Sequence, residues 1–514
     1  MVTIQIRQNL QLIKKQLDRI FTEIRYLCLF ILGWPMNRNA HIFLVALSLI
    51  IPATTLAERQ AEKQWLAGDH HIHSYFSVGW EPGDPPKPVQ GGDAIYSIIK
   101  NAEMARQFGL DWMVATDHGG PNHSKINLEQ AYPELKESRQ KVPEVIQFMG
   151  LELNSPGADH TSIIIPHTHD EAHRLYEYES RFDTREPWPE DPDRNHEAHM
   201  LEALKFVDGY PEKPIVIAHH PSRSAPDIRE YGMTAPAELR AWNDTAPEVA
   251  IGMEGAPGHQ AAQLREAKPE DDIYPAWVYA RGAYGRGYPT LGGFDQMTAV
   301  LGGFWDSMLG EGRRWWITAN SDSHIHYTEG GIDFWPGEYS KTYVYAAKNH
   351  DDILEGIRHG RVFVTTGDLI SSLNISVSSA DQHATTGSEL KIKPGQRVTI
   401  EIEVSDPDTN NHAGRNPSVE RIDLITGSIT GRQDNPSLDR HTSTTVTKRF
   451  SREDWTQTND IIRVQHTLTP SEPIFLRIRG TNTGELEPSP DEAGEDPWDD
   501  LWFYSNPVFI SIKD

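Results

Sequence analysis

The chain has 514 residues, which is enough to bury more than one core, and this length suggests two or three domains. It carries 74 acidic against 48 basic residues and a formal net charge of -26. Such a surface repels phosphates, so a nucleic-acid partner is not expected. The single cysteine, Cys28, excludes an intrachain disulfide.

The N-terminal region carries a targeting pattern. From Met36, a short basic region leads into an apolar run over 42–51 and ends in the small residues before Glu58. This predicts a secretory signal peptide over 36–57, with 1–35 as an extension that a non-native start would explain. The alternatives to a cleaved signal peptide are that this segment stays as an uncleaved anchor, or that the run over 27–32 is embedded in a membrane. Cleavage would give a periplasmic or extracellular protein with no stable membrane insertion.

The first histidine cluster follows directly on a short apolar run and reads Asp69-His70-His71-Ile72-His73. Side chains two apart on a strand point the same way, so His71 and His73 can hold one cation together. Imidazole and carboxylate ligands suit Zn, Mn and Fe, whereas Ca and Mg prefer oxygen alone. No cysteine accompanies the cluster, which argues against a structural zinc knuckle.

Two further clusters follow predicted strands. The strand over 112–115 runs into Thr116-Asp117-His118, and a helical pattern over 94–105 precedes it. The strand over 145–149 ends shortly before Glu152, with His160 close behind. Carboxylate and imidazole side chains again stand where a buried strand would emerge.

The last two clusters repeat this arrangement. An apolar run over 215–218 precedes His219 and His220, and another over 315–318 leads to Asp322 and His324. For any single histidine, a structural role is the simpler interpretation. Several clusters, each after an apolar run, favour a multinuclear metal site at one end of a barrel.

Three further segments carry weaker signals. The histidine pair over 167–169 follows a proline, which favours a loop. The segment 196–199 is one residue short of the metalloprotease motif, whose histidines must lie one helical turn apart, so that motif is rejected. Glu254 and His259 flank a glycine-containing turn after a predicted strand and either contact substrate or have no role there.

Repeated strand-then-helix units with ligands at strand exits predict an α/β fold with a distorted, TIM-like (β/α) barrel over 65–366. After this region the pattern changes to short alternating runs separated by turn residues, such as 398–404. These predict a β-rich accessory domain over 367–514, in the form of an antiparallel β-sandwich packed on the barrel. The acidic stretches around 406–411 and 491–500 are interpreted as solvated loops rather than calcium sites.

The ordered clusters resemble the motifs of the PHP (polymerase and histidinol phosphatase) family of metal-dependent hydrolases. The match runs from about Trp65 to Thr366, in the family's order, and looks closest to its exported metallohydrolase or phosphoesterase subgroup. The resemblance implies a seven-stranded (β/α)7 barrel. The positions that match the family's metal ligands are His71, His73, His118, Glu152, His160, His220, Asp322 and His324.

The resemblance also implies how these ligands divide among two, or with a further ion three, divalent cations (Zn, Mn or Fe). The first ion would use His71, His73, Glu152 and Asp322, and the second would use Glu152, His160 and His220. The third would use His118 and His324. The family often adds an aspartate where this chain has Val78, so the third ion lacks a ligand unless Glu81 or Asp84 reaches it.

The predicted function is an exported, metal-dependent phosphoesterase acting on a small molecule. Two cations sharing Glu152 would acidify a water to supply hydroxide for attack on phosphorus. Asp117 is expected to orient the His118 ring. Arg223 is expected to hold a phosphate oxygen, unless it is simply a surface residue. The alternatives are a carboxylic ester or carbamate hydrolase using the same metals and, in another class, a non-catalytic surface or glycan-binding protein.

Overall fold

The computed structural model describes residues 62–264, 290–492 and 494–513. The predicted signal peptide and N-terminal extension, with their membrane alternatives, lie outside the described residues. The described residues from Lys63 onward form one compact unit. Within the described part of the chain, none of the helices combines the length and the apolar character needed to cross a membrane.

The described residues form short strands and helices, with single turns of tighter or wider helix between them. The strands are β1 Gln64–Asp69, β2 Gly79–Glu81, β3 Lys87–Val89, β4 Trp112–Ala115, β5 Ile146–Asn154, β6 His160–Ile164, β7 Ile215–Ala218, β8 Ala250–Ala256, β9 Trp316–Ala319, β10 Ser340–Ala346, β11 Val362–Thr366, β12 Ser372–Ser379, β13 Gln382–Ala384, β14 Glu389–Ile392, β15 Val398–Ser405, β16 Arg421–Ser428, β17 Thr445–Phe450, β18 Thr456–Thr458, β19 Ile461–Leu468, β20 Ile474–Thr481, β21 Trp502–Ser505 and β22 Val508–Ile512. The α-helices are α1 Ile98–Gln107, α2 His123–Ile126, α3 Tyr132–Lys141, α4 Glu171–Phe182, α5 Glu197–Asp208, α6 Pro236–Thr245, α7 Gln296–Ala299, α8 Phe304–Gly310 and α9 His350–Arg358.

The boundaries follow local chemistry. Helix α1 begins at Ile98, later than its apolar pattern suggests, because the Ser97 side chain accepts a hydrogen bond from the Lys100 amide and caps the first turn. Strand β5 is longer than predicted and continues through Glu152 to Asn154. Glu152 therefore projects from the strand itself rather than from the loop behind it.

The central sheet is mixed and large. From β1 it runs through β4, β5, β6, β7 and β8 to β9, and the β1–β4, β4–β5, β7–β8 and β8–β9 pairs are parallel. In the other direction, β1 pairs antiparallel with β10, and β10 with β11. Since the carboxyl ends of parallel strands meet at one edge of a sheet, the clusters after β1, β4, β7 and β9 come together.

The predicted closed seven-stranded barrel is not confirmed, because the described sheet does not close. A strand has two edges, and β10 and β4 occupy both edges of β1. Between the ends of β1 and β9 there is one isolated bridge, from Ile72 to Ser323. On the β9 edge, the Ile317 amide donates to the Asn506 side chain at 2.9 Å and the Ala319 amide to the Thr342 hydroxyl at 2.7 Å. Side chains thus replace the strand that would close the barrel.

The C-terminal region is rich in antiparallel strands, as predicted. One five-stranded sheet has the order β13-β12-β15-β19-β18. In β15, Val398, Ile400, Ile402 and Val404 are buried, whereas Glu401 is exposed. This alternation places one face of the sheet in a core shared with β16 and β20, and each buried side chain of this size contributes about 1.5–3 kcal/mol.

The C-terminal strands also extend the central sheet. Strand β11 pairs with β21, with Phe363 opposite Ser505, and β21 continues to β20, β22 and β14. The two predicted domains therefore share one sheet. A boundary between 366 and 367 stays a prediction.

Candidate metal centre

All eight predicted metal ligands lie together at the carboxyl edge of the central sheet. Among the described residues, seven groups of donor atoms lie close enough to hold a cation each, and they include three that consist of predicted ligands alone: His71, His73 and Asp322; Glu152, His160 and His220; and His73, His118 and His324. The second of these groups is identical to the ligand set that the family resemblance implies, the first lacks Glu152 from its implied set, and the third adds His73 to the implied His118 and His324. The structure shows that they could bind metal ions, and it leaves the number and identity of the ions open.

Glu152 lies at the centre of the cluster. Its Oε1 is 2.8 Å from His160 Nδ1, 3.0 Å from His220 Nε2 and 3.3 Å from His71 Nε2. Its Oε2 is 3.4 Å from His73 Nε2. One carboxylate thus contacts both the first and the second ligand group, so Glu152 could be shared by two cations.

In the first group, the ring nitrogens of His71 and His73 point their lone pairs at a common position, where a cation could bind. His71 Nδ1 is 2.8 Å from Glu254 Oε1, and His73 Nδ1 is 2.8 Å from Ser77 Oγ. With these nitrogens bonded elsewhere, the two Nε2 atoms approach to 2.9 Å and face Asp322 Oδ1 at 2.9 and 3.2 Å. Converging ring nitrogens and a carboxylate oxygen repel one another unless a proton or a cation lies between them, and this donor set suits Zn, Mn or Fe.

At Glu152 and His220, the surrounding charges and burial favour the protonation states that bind a metal. Burial raises the pKa of Glu152, but facing histidines, chiefly His160 and His71, hold it well below its usual range. Burial and the nearby Arg223 lower the pKa of His220 to about 4. An ionised carboxylate and a neutral imidazole are the forms that bind a metal.

The third group has a carboxylate that sequence reasoning missed. Asp93 Oδ2 lies 2.9 Å from His118 Nε2 and 3.5 Å from His324 Nε2. Burial opposes ionisation of Asp93, but these two rings hold its pKa well below its usual range. Asp93 therefore supplies the charge that Val78, buried in the core, does not.

Asp93, and not Glu81 or Asp84, is therefore the carboxylate that faces His118 and His324. Strands β2 and β3 form a hairpin that returns the chain to the site, and at its base a Cβ on Gly92 would come within 2.8 Å of Gly79 Cα. The hairpin closes because both positions are glycine. The Gly91-Gly92-Asp93 sequence was the available signal, but its link to His118 depends on this loop closing.

Replacing Asp93 by Asn should weaken the third group selectively. The amide keeps the shape and removes the negative charge facing His118 and His324, so we expect the most weakly held ion to bind about 10–100-fold less tightly. Metal content after dialysis, measured by inductively coupled plasma mass spectrometry, checks this. Asp84→Asn is the matched control, and loss of an ion from the control instead of the Asp93 variant would contradict the assignment.

Asp117 holds a loop rather than the His118 ring. Its Oδ1 accepts hydrogen bonds from the Ser74 amide at 2.6 Å and the Ser77 hydroxyl at 2.9 Å. His118 Nδ1 is buried with no hydrogen-bond partner among the described residues. The expected Asp117–His118 ring contact is not formed, because Asp117 points to the loop after β1. Through Ser77, Asp117 orients His73 instead.

Glu254 and Asp69 are buried carboxylates that orient ligands. Glu254 accepts from His71 Nδ1 through Oε1 and from the His220 amide through Oε2. Asp69 accepts from the His71 amide and the Ser321 amide, both at 3.0 Å, and so joins the first cluster to the last. Neither carboxylate is exposed, so Glu254 acts on ligands and not on substrate.

His259 contacts the second carboxylate oxygen of Asp322. Its Nε2 lies 2.6 Å from Asp322 Oδ2, and its Nδ1 contacts Asp333. The backbone φ values of His259, Asp322 and His220 are 63°, 46° and 23°, a region costly for non-glycine residues. Gly258 makes this turn possible, since a Cβ there would lie 2.4 Å from the Ser321 carbonyl oxygen. Three of the eight described non-glycine residues with positive φ thus lie in the site, where such conformations often have a functional role.

His219 is a further residue that the sequence analysis did not assign. Its Nδ1 lies 2.9 Å from Glu152 Oε1, and its ring stacks on His71 with centroids 3.6 Å apart. The rejected histidine pairs have structural contacts: His167 pairs with Glu171 at 3.1 Å, and the His196 ring accepts from the His199 amide at the start of α5.

Arg223 reaches the edge of the cluster. Its Nη2 donates to Asp159 Oδ1 at 2.6 Å and lies 3.5 Å from His160 Nδ1. The side chain is 32% exposed and lines a cavity of about 820 Å³ next to His160. Arg223 is therefore both anchored and accessible to an anion in this cavity.

No protein-family model and no curated protein matches the chain. Among solved structures, PsfC from Pseudomonas syringae PB-5123 aligns with 16% identity and a TM-score of 0.28, over 56% of this chain and 85% of that one. Endonuclease Q, in complex with a 27-mer duplex carrying an abasic lesion, aligns with 13% identity and a TM-score of 0.29. That match covers 58% of this chain and 56% of endonuclease Q. Similarity at these scores does not establish a shared fold.

Proposed function

We propose that this protein is a metal-dependent hydrolase of the PHP type, acting first of all as a phosphoesterase on a small-molecule ester. The observation that carries the proposal is the position of Glu152 between two ligand groups. The formal charge of -26 favours a small molecule over nucleic acid as the substrate. The signal-like segment 36–57 supports export to the periplasm or the cell exterior.

The ligands would divide as the geometry groups them. His71, His73, Asp322 and Glu152 would hold one ion; Glu152, His160 and His220 a second; and His118, Asp93 and His324 a third. Bound divalent cations would supply Lewis acidity and lower the pKa of a water molecule near the substrate. Two groups sharing a carboxylate are close enough to act on one ester.

The chain's own residues contribute binding and orientation. Arg223 presents guanidinium hydrogens beside His160 and can hold an anionic oxygen of the substrate. Asp159, 4% exposed, fixes Arg223 in that position. Asp117, Glu254 and Asp69 hold the ligand loops through hydrogen bonds, so the cluster is preorganised before substrate binds.

The test is hydrolysis of a phosphate monoester, a phosphodiester and a carboxylic ester, each as a chromogenic compound, by protein loaded with Zn, Mn or Fe. We expect turnover of a phosphorus substrate that falls about 10³-fold in Asp322→Asn, since each lost metal ligand removes several kcal/mol of transition-state stabilisation. Circular dichroism should show an unchanged fold, and Asp454→Asn on the C-terminal surface is the matched control.

The other outcomes each decide between functions. Turnover of the carboxylic ester alone would replace the phosphoesterase by an ester or carbamate hydrolase, which polarises a carbonyl with the same donor set. Tight metal binding without turnover of any ester would support the non-catalytic binding protein and contradict hydrolysis. Turnover that survives in Asp322→Asn would place the reaction at another site.

A further inference from the structure

Two cavities flank the metal centre and share three residues. The first, of about 820 Å³, includes Asp159, His160 and Arg223 in its lining and is called the polar arm. The second, of about 730 Å³, is lined in part by Trp80, Trp188, Pro121, Asp93 and His118 and is called the tryptophan arm. Thr184, Arg185 and Asn195 line both. The reacting group of a substrate would therefore lie between two differently built arms.

The polar arm is suited to a polar or anionic substituent. Arg223 lines this arm, and Arg185 stands where the two arms meet. Asn154 and Asn195 add amide groups to its wall. Guanidinium and amide groups donate hydrogen bonds to anionic and carbonyl oxygens, so this arm favours the oxygen-rich side of a substrate.

The tryptophan arm has flat, rigid walls. Trp188 is 39% exposed, and its Nε1 donates to Asp84 Oδ1 at 2.8 Å, which fixes the orientation of the indole. Trp80 is half-buried and packs against Gly120, where a Cβ would lie 3.0 Å from the indole. Two positioned indoles in one cavity offer stacking surfaces to a planar group.

The charge of the tryptophan arm restricts what it accepts. Glu190 and Asp191 line it, Asp93 lies at its metal end, and Arg185, shared with the polar arm, is the one arginine among the described residues of its lining. The three carboxylates outnumber this guanidinium, so the arm favours a neutral or cationic ring over an anionic one. A cavity of this size also exceeds what a phosphate group alone would fill, since sites for small organic ligands measure about 300–1,000 Å³.

We propose that the substrate is an aryl ester, or another ester bearing a planar ring, whose neutral or cationic ring binds between the metal centre and Trp188. The polar arm then holds the substituent on the other side of the reacting group. This inference rests on the proposed hydrolase function, because it takes the metal centre as the position of the ester. Trp188 and Trp80 become the residues that determine specificity for the ring.

Isothermal titration calorimetry with phenylphosphonate and methylphosphonate tests the ring site on the metal-loaded protein. We expect phenylphosphonate to bind more tightly, and Trp188→Ala to raise its Kd about five- to tenfold, in line with the strength of aromatic pairs. The Kd of methylphosphonate should stay unchanged. Asp84→Ala, which frees the indole, should weaken phenylphosphonate about threefold through loss of one hydrogen bond. Tyr345→Ala, an exposed aromatic outside both arms, is the control.

Parallel hydrolysis assays separate this inference from the proposed function. A phenyl preference that depends on Trp188, without turnover of any ester, would support the ring site and contradict the hydrolase. Turnover of esters with equal affinity for both phosphonates, or with equal effects of Trp188→Ala on both, would overturn the ring site and leave the hydrolase standing. Failure to bind either phosphonate would also overturn the ring site.

Discussion

Replacing Glu152 by Gln should strongly reduce the proposed hydrolysis and weaken metal binding. Among the described residues, ring nitrogens of five histidines lie within 3.4 Å of its carboxylate. The amide removes the negative charge that two ligand groups share and places a donor where lone pairs converge. We expect kcat/KM to fall about 10³-fold or more, because several kcal/mol of transition-state stabilisation are lost. Steady-state kinetics with metal analysis measures both effects.

Glu238→Gln is the matched control for this experiment. Glu238 is a buried carboxyl on α6, and burial raises its pKa to about 8, so it is largely uncharged near neutral pH. An amide there changes little, and both metal content and turnover should stay at the wild-type level. A Glu152 variant that retained metal and activity would show that the shared carboxylate is not the bridge we infer.

The second large effect concerns stability. Arg477 on β20 is fully buried, and its Nε and Nη2 donate to Asp306 Oδ1 and Oδ2 at 2.8 and 2.9 Å. Asp306→Ala would leave this guanidinium buried without its carboxylate, which typically costs about 3–5 kcal/mol. We expect the midpoint of urea unfolding to fall accordingly. Asp306 lies on α8, so the result measures how strongly this helix and the C-terminal strands depend on each other.

Two further variants serve as controls for the loss of stability in Asp306→Ala. Glu420→Ala removes an exposed pair with Arg452, whose side chains are 45% and 59% exposed, and should cost less than about 1 kcal/mol. The double variant Asp306→Ala with Arg477→Met should recover stability, because an apolar side chain no longer leaves a buried charge. Equal losses for Asp306→Ala and Glu420→Ala would mean that Arg477 finds another partner or reaches water.

Much of the candidate site was readable from the sequence because its signals are local. His71 and His73 stand two apart on either side of Ile72, and Glu152 lies on β5. His118, His220, Asp322 and His324 follow the apolar runs that form β4, β7 and β9. Strand alternation and the common edge of parallel strands bring such residues together, and this does not depend on the conformation of the connecting loops. The alternation in β15 identified the antiparallel C-terminal sheet for the same reason.

The hydrogen bonds that orient the metal ligands could not be predicted from local sequence patterns. Asp117 is adjacent to His118 in the chain, yet it bonds to Ser74 and Ser77 and thereby orients His73. The direction of a buried carboxylate is set by whichever donors the packed loops present, and chain adjacency does not determine that. Glu254, at the end of another strand, was similarly assigned only once its contacts to His71 and His220 were seen.

The sequence by itself determined the donor types, their order along the chain and the alternation of strand and helix, because each depends on residues a few positions apart. Only the tertiary structure decided that Asp93 joins His118 and His324, since a glycine-closed hairpin must first return the chain to the site. It also decided that the sheet stays open, because β10 takes the edge of β1 that closure requires. Both outcomes depend on contacts between distant segments, which compete for the same edges and spaces and leave no local periodicity in the sequence.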